Sequence, residues 1–347
     1  MRLLWGRRVK PPIEHEMTSP RDIVRLARPG DWTKNSFVLL AFIFWLANAV
    51  RTNGADGTDP SSVAFAKASA ALLAFASFCL IASGFYCIND AFDAEKDRQH
   101  PVKCRRPVAS GAISPRVAVA MGIVLLVGAF STALVVGHAL VAAIALYALL
   151  QLAYNWGLKR IAVVDVMTIA AGFALRAAAG AVAIDVRISL WLVLCVFFLC
   201  LFLGCTKRMC DLVTAERAGS TWKSAAEYRG RDELQWLLGV SAVITTLMYL
   251  SYTLSEHTWQ LYGARASGLA LLTPIVLVAI HRFWRRANDG SSDSPLDALR
   301  TDRVVLASIV LFVVMLGVVL FVPQVVTVLE RVFLPNESAA VAALSRG

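Results

Sequence analysis

Long apolar runs separated by short polar segments make up most of the chain. Crossing a bilayer takes about 20 consecutive apolar residues. Nine runs approach or exceed that length, at roughly 36–51, 63–88, 116–136, 139–155, 163–183, 188–206, 234–254, 264–282 and 303–322. The pattern predicts an all-α fold, a polytopic membrane bundle of about nine transmembrane helices. The first run is short, and the third and fourth meet at a tight turn at Gly137–His138. Ahead of them, SPRDIVRLARP (Ser19–Pro29) opens on a cap-like Ser-Pro and alternates basic and apolar faces, the mark of an interfacial helix. The expected organisation is a cytoplasmic segment over 1–35, a nine-helix transmembrane domain over 36–322 and a tail over 323–347, frayed from 335 onward.

Composition agrees with this reading. Hydrophobic residues are 58% and charged residues 17% of the 347, against roughly 45–50% and about 25% in soluble domains. The basic residues are placed unevenly. Of the 34 Lys and Arg, 27 fall in 1–35, 89–116, 155–162, 207–233 and 282–303, five (Arg51, Arg187, Arg265, Arg331 and Arg346) in the segments on the other side, and two (Lys67 and Arg176) within spans. By the positive-inside rule the first group is cytoplasmic, in a protein of the inner (plasma) membrane. The net charge of +10 is thus explained by topology, and nucleic acid is not an expected partner. The polar, basic first 35 residues carry no cleavable-signal pattern. The seven cysteines form no CxxC, and Cys195, Cys200, Cys205 and Cys210 read as small apolar fillers.

Chemistry concentrates in two cytoplasmic loops. In NDAFDAEKD, Asp90, Asp93 and Asp97 stand at i, i+3 and i+7 directly after an apolar run, on one stripe of a continuous helix. Three carboxylates at a low-dielectric edge repel unless a cation sits among them. Hard divalent ions take oxygen ligands, typically one or two carboxylates plus substrate phosphates. A Mg²⁺–diphosphate site is one reading, and a solvated acidic loop is the plain alternative. Glu95 and Lys96 fall off the stripe. Downstream, Lys103, Arg105 and Arg106 offer phosphate contacts, or anchors for anionic lipid headgroups, the reading preferred for Arg105. Arg176 lies mid-span, where a charge usually faces an aqueous cavity; eleven residues along one helix separate it from Asp165, too far for a direct pair. Lys34 and Asn35 precede the first span.

With Asn89, Asp90, Asp93, Asp97 and then Arg106-Pro107 after the second run, the chain resembles the UbiA superfamily of intramembrane transferases. Tyr154-x4-Lys159 is a further match. The resemblance implies an all-helical bundle whose Asp90, Asp93 and Asp97 bind Mg²⁺ and a diphosphate, with Mn²⁺ as a substitute. Ordinary prenyltransferases of the superfamily carry a second acidic motif after the sixth span. Here that loop holds Asp211, Lys207, Arg208, Glu216, Arg217 and Tyr228 and no DxxxD, which is similar to the decaprenyl-phosphate phosphoribosyltransferase branch. Arg28-Pro29-x-x-Trp32-x-Lys34-Asn35, Val163-Val164-Asp165-Val166, Arg176 and DSPLDALRTDR also match that branch. Cys104-Arg105 and Asp211 depart from it.

The resemblance implies transfer of 5-phosphoribose from phosphoribosyl diphosphate to a long-chain polyprenyl phosphate, in cell-envelope biosynthesis. Asp90, Asp93 and Asp97 are the candidate catalytic and metal residues. Lys34, Asn35, Asn89, Lys103, Arg106, Tyr154, Lys159, Arg176, Lys207, Arg208, Glu216 and Tyr228 are the candidate substrate contacts. The rival readings are a prenyltransferase moving an isoprenoid to an aromatic acceptor and, in another class, a transporter or lipid-binding bundle without chemistry. Acceptor length and oligomeric state are not legible.

Overall fold

A computed structural model describes residues 19–52, 60–99, 103–219, 226–291 and 295–333. His100 and the tail beyond 333 lie outside the described residues. In chain order the helices are α1 (Pro20–Ala27), α2 (Leu40–Thr52), α3 (Pro60–Phe92), α4 (Ala94–Arg98), α5 (Pro115–Val136) and α6 (His138–Trp156). Then come α7 (Val164–Ala183), α8 (Leu190–Arg217), α9 (Arg231–Thr253), α10 (Glu256–Tyr262) and α11 (Arg265–Ala270). The last are α12 (Thr273–Asn288), α13 (Pro295–Thr301), α14 (Arg303–Phe321) and α15 (Pro323–Phe333). No strand occurs among the described residues.

Eight stretches among them are long and apolar enough to span a membrane, with α11 and α12 counted as one. The ninth expected span is α2, only 13 residues, entered through a 3-10 helix over Pro29–Leu39. The segment expected as a tail begins instead with α15, whose Val328 and Val332 are exposed while Val326 and Leu329 are buried. On α5, Val124, Val127 and Val135 stand more than half exposed. Such faces suit lipid, where the helix satisfies its own backbone groups.

The chain divides into two compact units, Met1–Ser36 with Leu73–Ile144, and Phe37–Leu72 with Ala145–Gly347. In the first, the segment after α1 is stitched to α3. Trp32 Nε1 donates to Ser83 Oγ at 3.0 Å, and Ser83 Oγ donates to the Ala27 carbonyl at 2.7 Å. Ser19 caps α1 and Ser114 caps α5, each followed by proline at the first helical position. Helices α3 and α5 approach closely at glycines: a Cβ at Gly122 would lie 2.6 Å from Ile88 Cγ1 and 3.0 Å from the Gly84 oxygen.

In the second unit, Phe202 and Met209 of α8, Leu234 and Leu238 of α9, Phe283 of α12 and Val305 of α14 form a continuous core. The small residues of α7 serve close packing, since a Cβ on Gly180 would stand 1.8 Å from the Val38 carbonyl oxygen. Buried Asp302 starts α14, its Oδ1 accepting from the Val304 and Val305 amides at 2.9 and 3.2 Å. Its Oδ2 pairs with Arg282 at 2.8 Å and Arg286 at 3.0 Å. Burial pushes this carboxyl up, but the hydrogen bonds from Arg286, the Val305 amide, Arg282 and the Val304 amide prevail, holding its pKa at about 2.

Candidate functional site

In the first unit the acidic motif forms an acid–base cluster with two buried carboxylates. Helix α3 ends at Phe92, and Asp93 occupies the break before α4 with φ −87° and ψ 0°. Helical hydrogen bonds still run from the Asp93 amide to Asn89 O and from the Asp97 amide to Asp93 O. The turn therefore continues but bends, and the three carboxylates do not form one stripe. Asp90 and Asp97 are buried, at 3% and 4% exposure. Asp93 is exposed and makes no capping bond. Solvent hydrates its charge, whereas its two neighbours need partners.

Those partners are arginines. Arg106 Nη1 donates to Asp90 Oδ1 at 3.2 Å and to Asp97 Oδ2 at 2.6 Å, so one nitrogen bridges both. Arg28 Nη2 donates to Asp90 Oδ1 at 2.5 Å, and its guanidinium lies over the Tyr86 ring at 4.8 Å. Arg28 takes a left-handed backbone, φ 51° and ψ 60°, uncommon for a residue with a Cβ. A cavity of about 560 Å³ opens beside the pair, lined by Asp90 with Arg25, Arg28, Lys103, Arg105 and Arg106. Arg105 thus belongs to this cavity rather than standing apart from it. Glu95 and Lys96 are exposed, as Asp93 is.

Does this arrangement fit a divalent ion? Among the described residues no three His, Cys, Asp or Glu side chains are grouped to hold one. Two carboxylates are, because the Arg106 nitrogen marks a cation position that both Asp90 and Asp97 reach. Oxygen-only donors in that number suit Mg²⁺ completed by phosphate oxygens. The residues fit a two-carboxylate site, with Asp93 to one side.

The second unit holds another cluster. Asp165, in the first turn of α7, is fully buried. Its oxygens accept from Arg208 Nε at 3.0 Å, from the Val166 amide at 2.7 Å and from the Tyr228 hydroxyl. Burial raises the Tyr228 hydroxyl pKa, and its bond to the Asp165 carboxylate raises it further. Tyr154 lies close enough to Arg208 and Asp165 to feel their charges. The Glu227 amide donates to Arg160 O at 3.2 Å, joining the loop of Tyr228 to the short turn carrying half-buried Lys159. Lys207 points outward, about half exposed, 3.7 Å from Asp211. Glu216 makes a surface pair with Arg231, at 3.3 Å.

Arg176 is buried on α7. It donates to Gly172 O at 2.9 Å and to the Tyr147 hydroxyl at 2.7 Å, with the Tyr147 and Phe173 rings 4.6 and 5.1 Å from its guanidinium. In the first unit, Lys34 pairs with Asp31 at 2.5 Å, and buried Asn35 donates to Cys79 Sγ at 3.3 Å. Residue reasoning undervalued Arg28, Asp165 and Tyr147. Arg28 entered only through the branch resemblance, and its pairing with Asp90 and its left-handed backbone set it apart in the structure. A carboxylate inside an apolar run was the available signal for Asp165.

Comparison with known proteins bears on all of this. The chain is 32% identical over 301 residues to decaprenyl-phosphate phosphoribosyltransferase of Mycolicibacterium smegmatis, covering 86% of this chain and 91% of that protein. It is 30% identical over 302 residues to the protein of the same name from Corynebacterium glutamicum, covering 85% and 86%. Among solved structures, a UbiA homolog from Archaeoglobus fulgidus bound to DMAPP and Mg²⁺ superposes with a TM-score of 0.59 at 17% identity, over 87% of this chain and 99% of that one. That likeness bears on the fold alone. The model of the UbiA prenyltransferase family matches residues 39–299. The chain is therefore an integral membrane transferase that belongs to the UbiA prenyltransferase family.

Proposed function

We propose that this enzyme transfers 5-phosphoribose from phosphoribosyl diphosphate to a long-chain polyprenyl phosphate of the decaprenyl type, releasing diphosphate. The observation that carries the reading is the buried pair Asp90–Asp97, bridged by Arg106 and opening on a cavity with five cationic side chains. So many cations around two carboxylates suit a polyphosphate that brings a metal with it. The names of the mycobacterial and corynebacterial relatives support the same donor and acceptor.

In the reaction the bond from the sugar C1 to the diphosphate oxygen breaks, and its electron pair leaves with the diphosphate. An oxygen of the acceptor phosphate forms the new bond to C1. A bound Mg²⁺, held by Asp90 and Asp97 with Asp93 at the rim, would stabilise negative charge developing on the leaving oxygen. Lys103 and Arg106 hold the diphosphate, beside Asn89 at the end of α3. The acceptor is a phosphate monoester with second pKa near 6, largely dianionic at pH 7, so it needs no general base. Lys207 offers it an exposed ammonium. Arg208, oriented by Asp165, which also accepts from the Tyr228 hydroxyl, offers its remaining N–H groups, with Tyr154 and Lys159 as further candidate contacts. Arg176 ties α7 to α6 through Tyr147, Asn35 holds its segment to α3 through Cys79, Lys34 pairs within its own segment with Asp31, and Glu216 has the weakest claim to a role. The loops lie on the cytoplasmic side of the inner membrane, following the basic-residue bias.

The test is a transfer assay with purified enzyme, polyprenyl phosphate and radiolabelled phosphoribosyl diphosphate, run beside labelled prenyl diphosphates with an aromatic acceptor. Lipid-soluble label from the sugar donor alone is expected, with loss of activity in EDTA. Label from a prenyl donor alone would replace this reading with aromatic prenylation.

A further inference from the structure

We propose that Arg106 and Arg28 are exchange cations: they neutralise Asp90 and Asp97 in the metal-free enzyme and turn to the diphosphate when those carboxylates take up the metal. Divalent ion and diphosphate then bind well only together. The inference rests on the metal–diphosphate reading above and adds how the two ligands are coupled.

The argument begins with burial. The side chains of Asp90 and Asp97 are 4% and 5% exposed, so neither carboxylate can fall back on water when it loses a cation. The guanidiniums differ: Arg28 and Arg106 are 26% and 30% exposed, on long side chains bordering the cavity. The acids are fixed and the bases can swing. A divalent ion held by both carboxylates must take the place of Arg106 Nη1, which stands 3.2 and 2.6 Å from their oxygens.

If the metal arrives alone, the displaced arginines face Arg25, Lys103 and Arg105 in the same cavity, and like charges accumulate. If diphosphate arrives alone, it draws Arg106 away and strips buried carboxylates of their partner, which is similarly costly. When both arrive, each charge finds an opposite: carboxylates on the metal, arginines on the phosphates. Thermodynamic linkage makes the coupling reciprocal, so each ligand must tighten the other by the same factor. The left-handed backbone of Arg28 fits this role, since it aims that guanidinium at Asp90 from the cavity wall.

Equilibrium dialysis of the full-length enzyme in detergent tests the proposal, with ⁵⁴Mn²⁺ and ³²P-labelled inorganic diphosphate counted as protein-bound ligand. For wild type, diphosphate should tighten Mn²⁺ retention by about tenfold or more, within the usual range of coupling. Arg106→Gln should retain Mn²⁺ alone about tenfold better than wild type, because its carboxylates lack their resident cation. Its enhancement by diphosphate should fall below about threefold, and Arg106→Lys should restore part of it. If Arg106→Gln does not fold, Arg28→Gln carries the same expectation through Asp90. Equal Mn²⁺ retention by wild type with and without diphosphate would overturn the exchange while leaving the metal site standing. So would an unchanged enhancement in the folded variants. Failure of wild type to retain either ligand in any combination would overturn the metal–diphosphate reading, and the exchange with it.

Discussion

At the scale of single residues, the two neighbouring cations of α8, which runs as helix through Arg217 where a loop was expected from 207, have different jobs. Lys207 is about half exposed, and its partner Asp211, 3.7 Å away, is itself over a third exposed, so truncation leaves that carboxylate in reach of solvent. Lys207→Ala should keep the folded fraction and thermal midpoint of wild type while weakening transfer by about ten- to a hundredfold, the worth of one charge-assisted phosphate contact at about 1.5–3 kcal/mol. Saturation curves with both substrates would check it, and unchanged kinetics would make Lys207 a lipid-facing rim residue. Arg208→Ala should instead lose about 3 kcal/mol of stability, because it strands the fully buried Asp165. A thermal midpoint equal to wild type would contradict that pairing. Asp93→Asn, at the rim of the two-carboxylate site, should lower turnover less than Asp90→Asn does while leaving the thermal midpoint unchanged, since the exposed carboxylate supports no packing; equal losses in the two variants would contradict its place at the rim. The residue types of both clusters were legible because charges inside or beside apolar runs are costly and therefore conspicuous. Their partners were not. Spacing along a helix could not show that Asp93 falls at a bend, nor that Arg106 folds back between Asp90 and Asp97.

Elements raise a different set of tests. The apolar run containing α7 shows a helix but not how closely it packs, and glycine alone marks the tight place. Gly180→Ala should destabilise by roughly 1–3 kcal/mol or more, as its new Cβ would meet the Val38 carbonyl at 1.8 Å. Gly239→Ala on α9 should do the opposite by up to about 1 kcal/mol, because nothing lies within 4 Å and alanine favours helix. Thermal unfolding in detergent separates the two, and similar shifts in one direction would refute the packing described for α7. The start of α14 carries a pH signature. Asp302 is held at about 2 in the folded state, below the ordinary carboxylate value of 3.8. Its contribution is therefore present above about pH 4 and lost as pH falls through 2. Between pH 4 and 2, wild type should lose stability more steeply than Asp302→Asn. Parallel curves would show that the carboxylate is not held this way. The length of α2 escaped the hydropathy pattern for a related reason: a 3-10 segment has nearly the same composition as a helix but a different rise per residue.

For the whole molecule, hydropathy and basic-residue bias carried most of the information, because a bilayer allows so few backbone solutions. The all-α class and eight of the nine expected spans needed nothing more than apolar run length. Orientation remains a matter for labelling. In a Cys104→Ser background, cysteines placed at Gln99 or Ser220 should react with impermeant reagent from the cytoplasmic face and one at Thr58 from the opposite face. The reverse pattern would invert the topology. The central claim, however, concerns which bond the enzyme breaks, and a double-label experiment addresses it most directly. Phosphoribosyl diphosphate labelled separately at its 5-phosphate and at its β-phosphate is incubated with the reconstituted enzyme, Mg²⁺ and polyprenyl phosphate. Cleavage at C1 with transfer predicts that the 5-phosphate label enters the lipid phase and the β-phosphate label stays in water as diphosphate. If both labels remained in water, or both entered the lipid, the account would be contradicted.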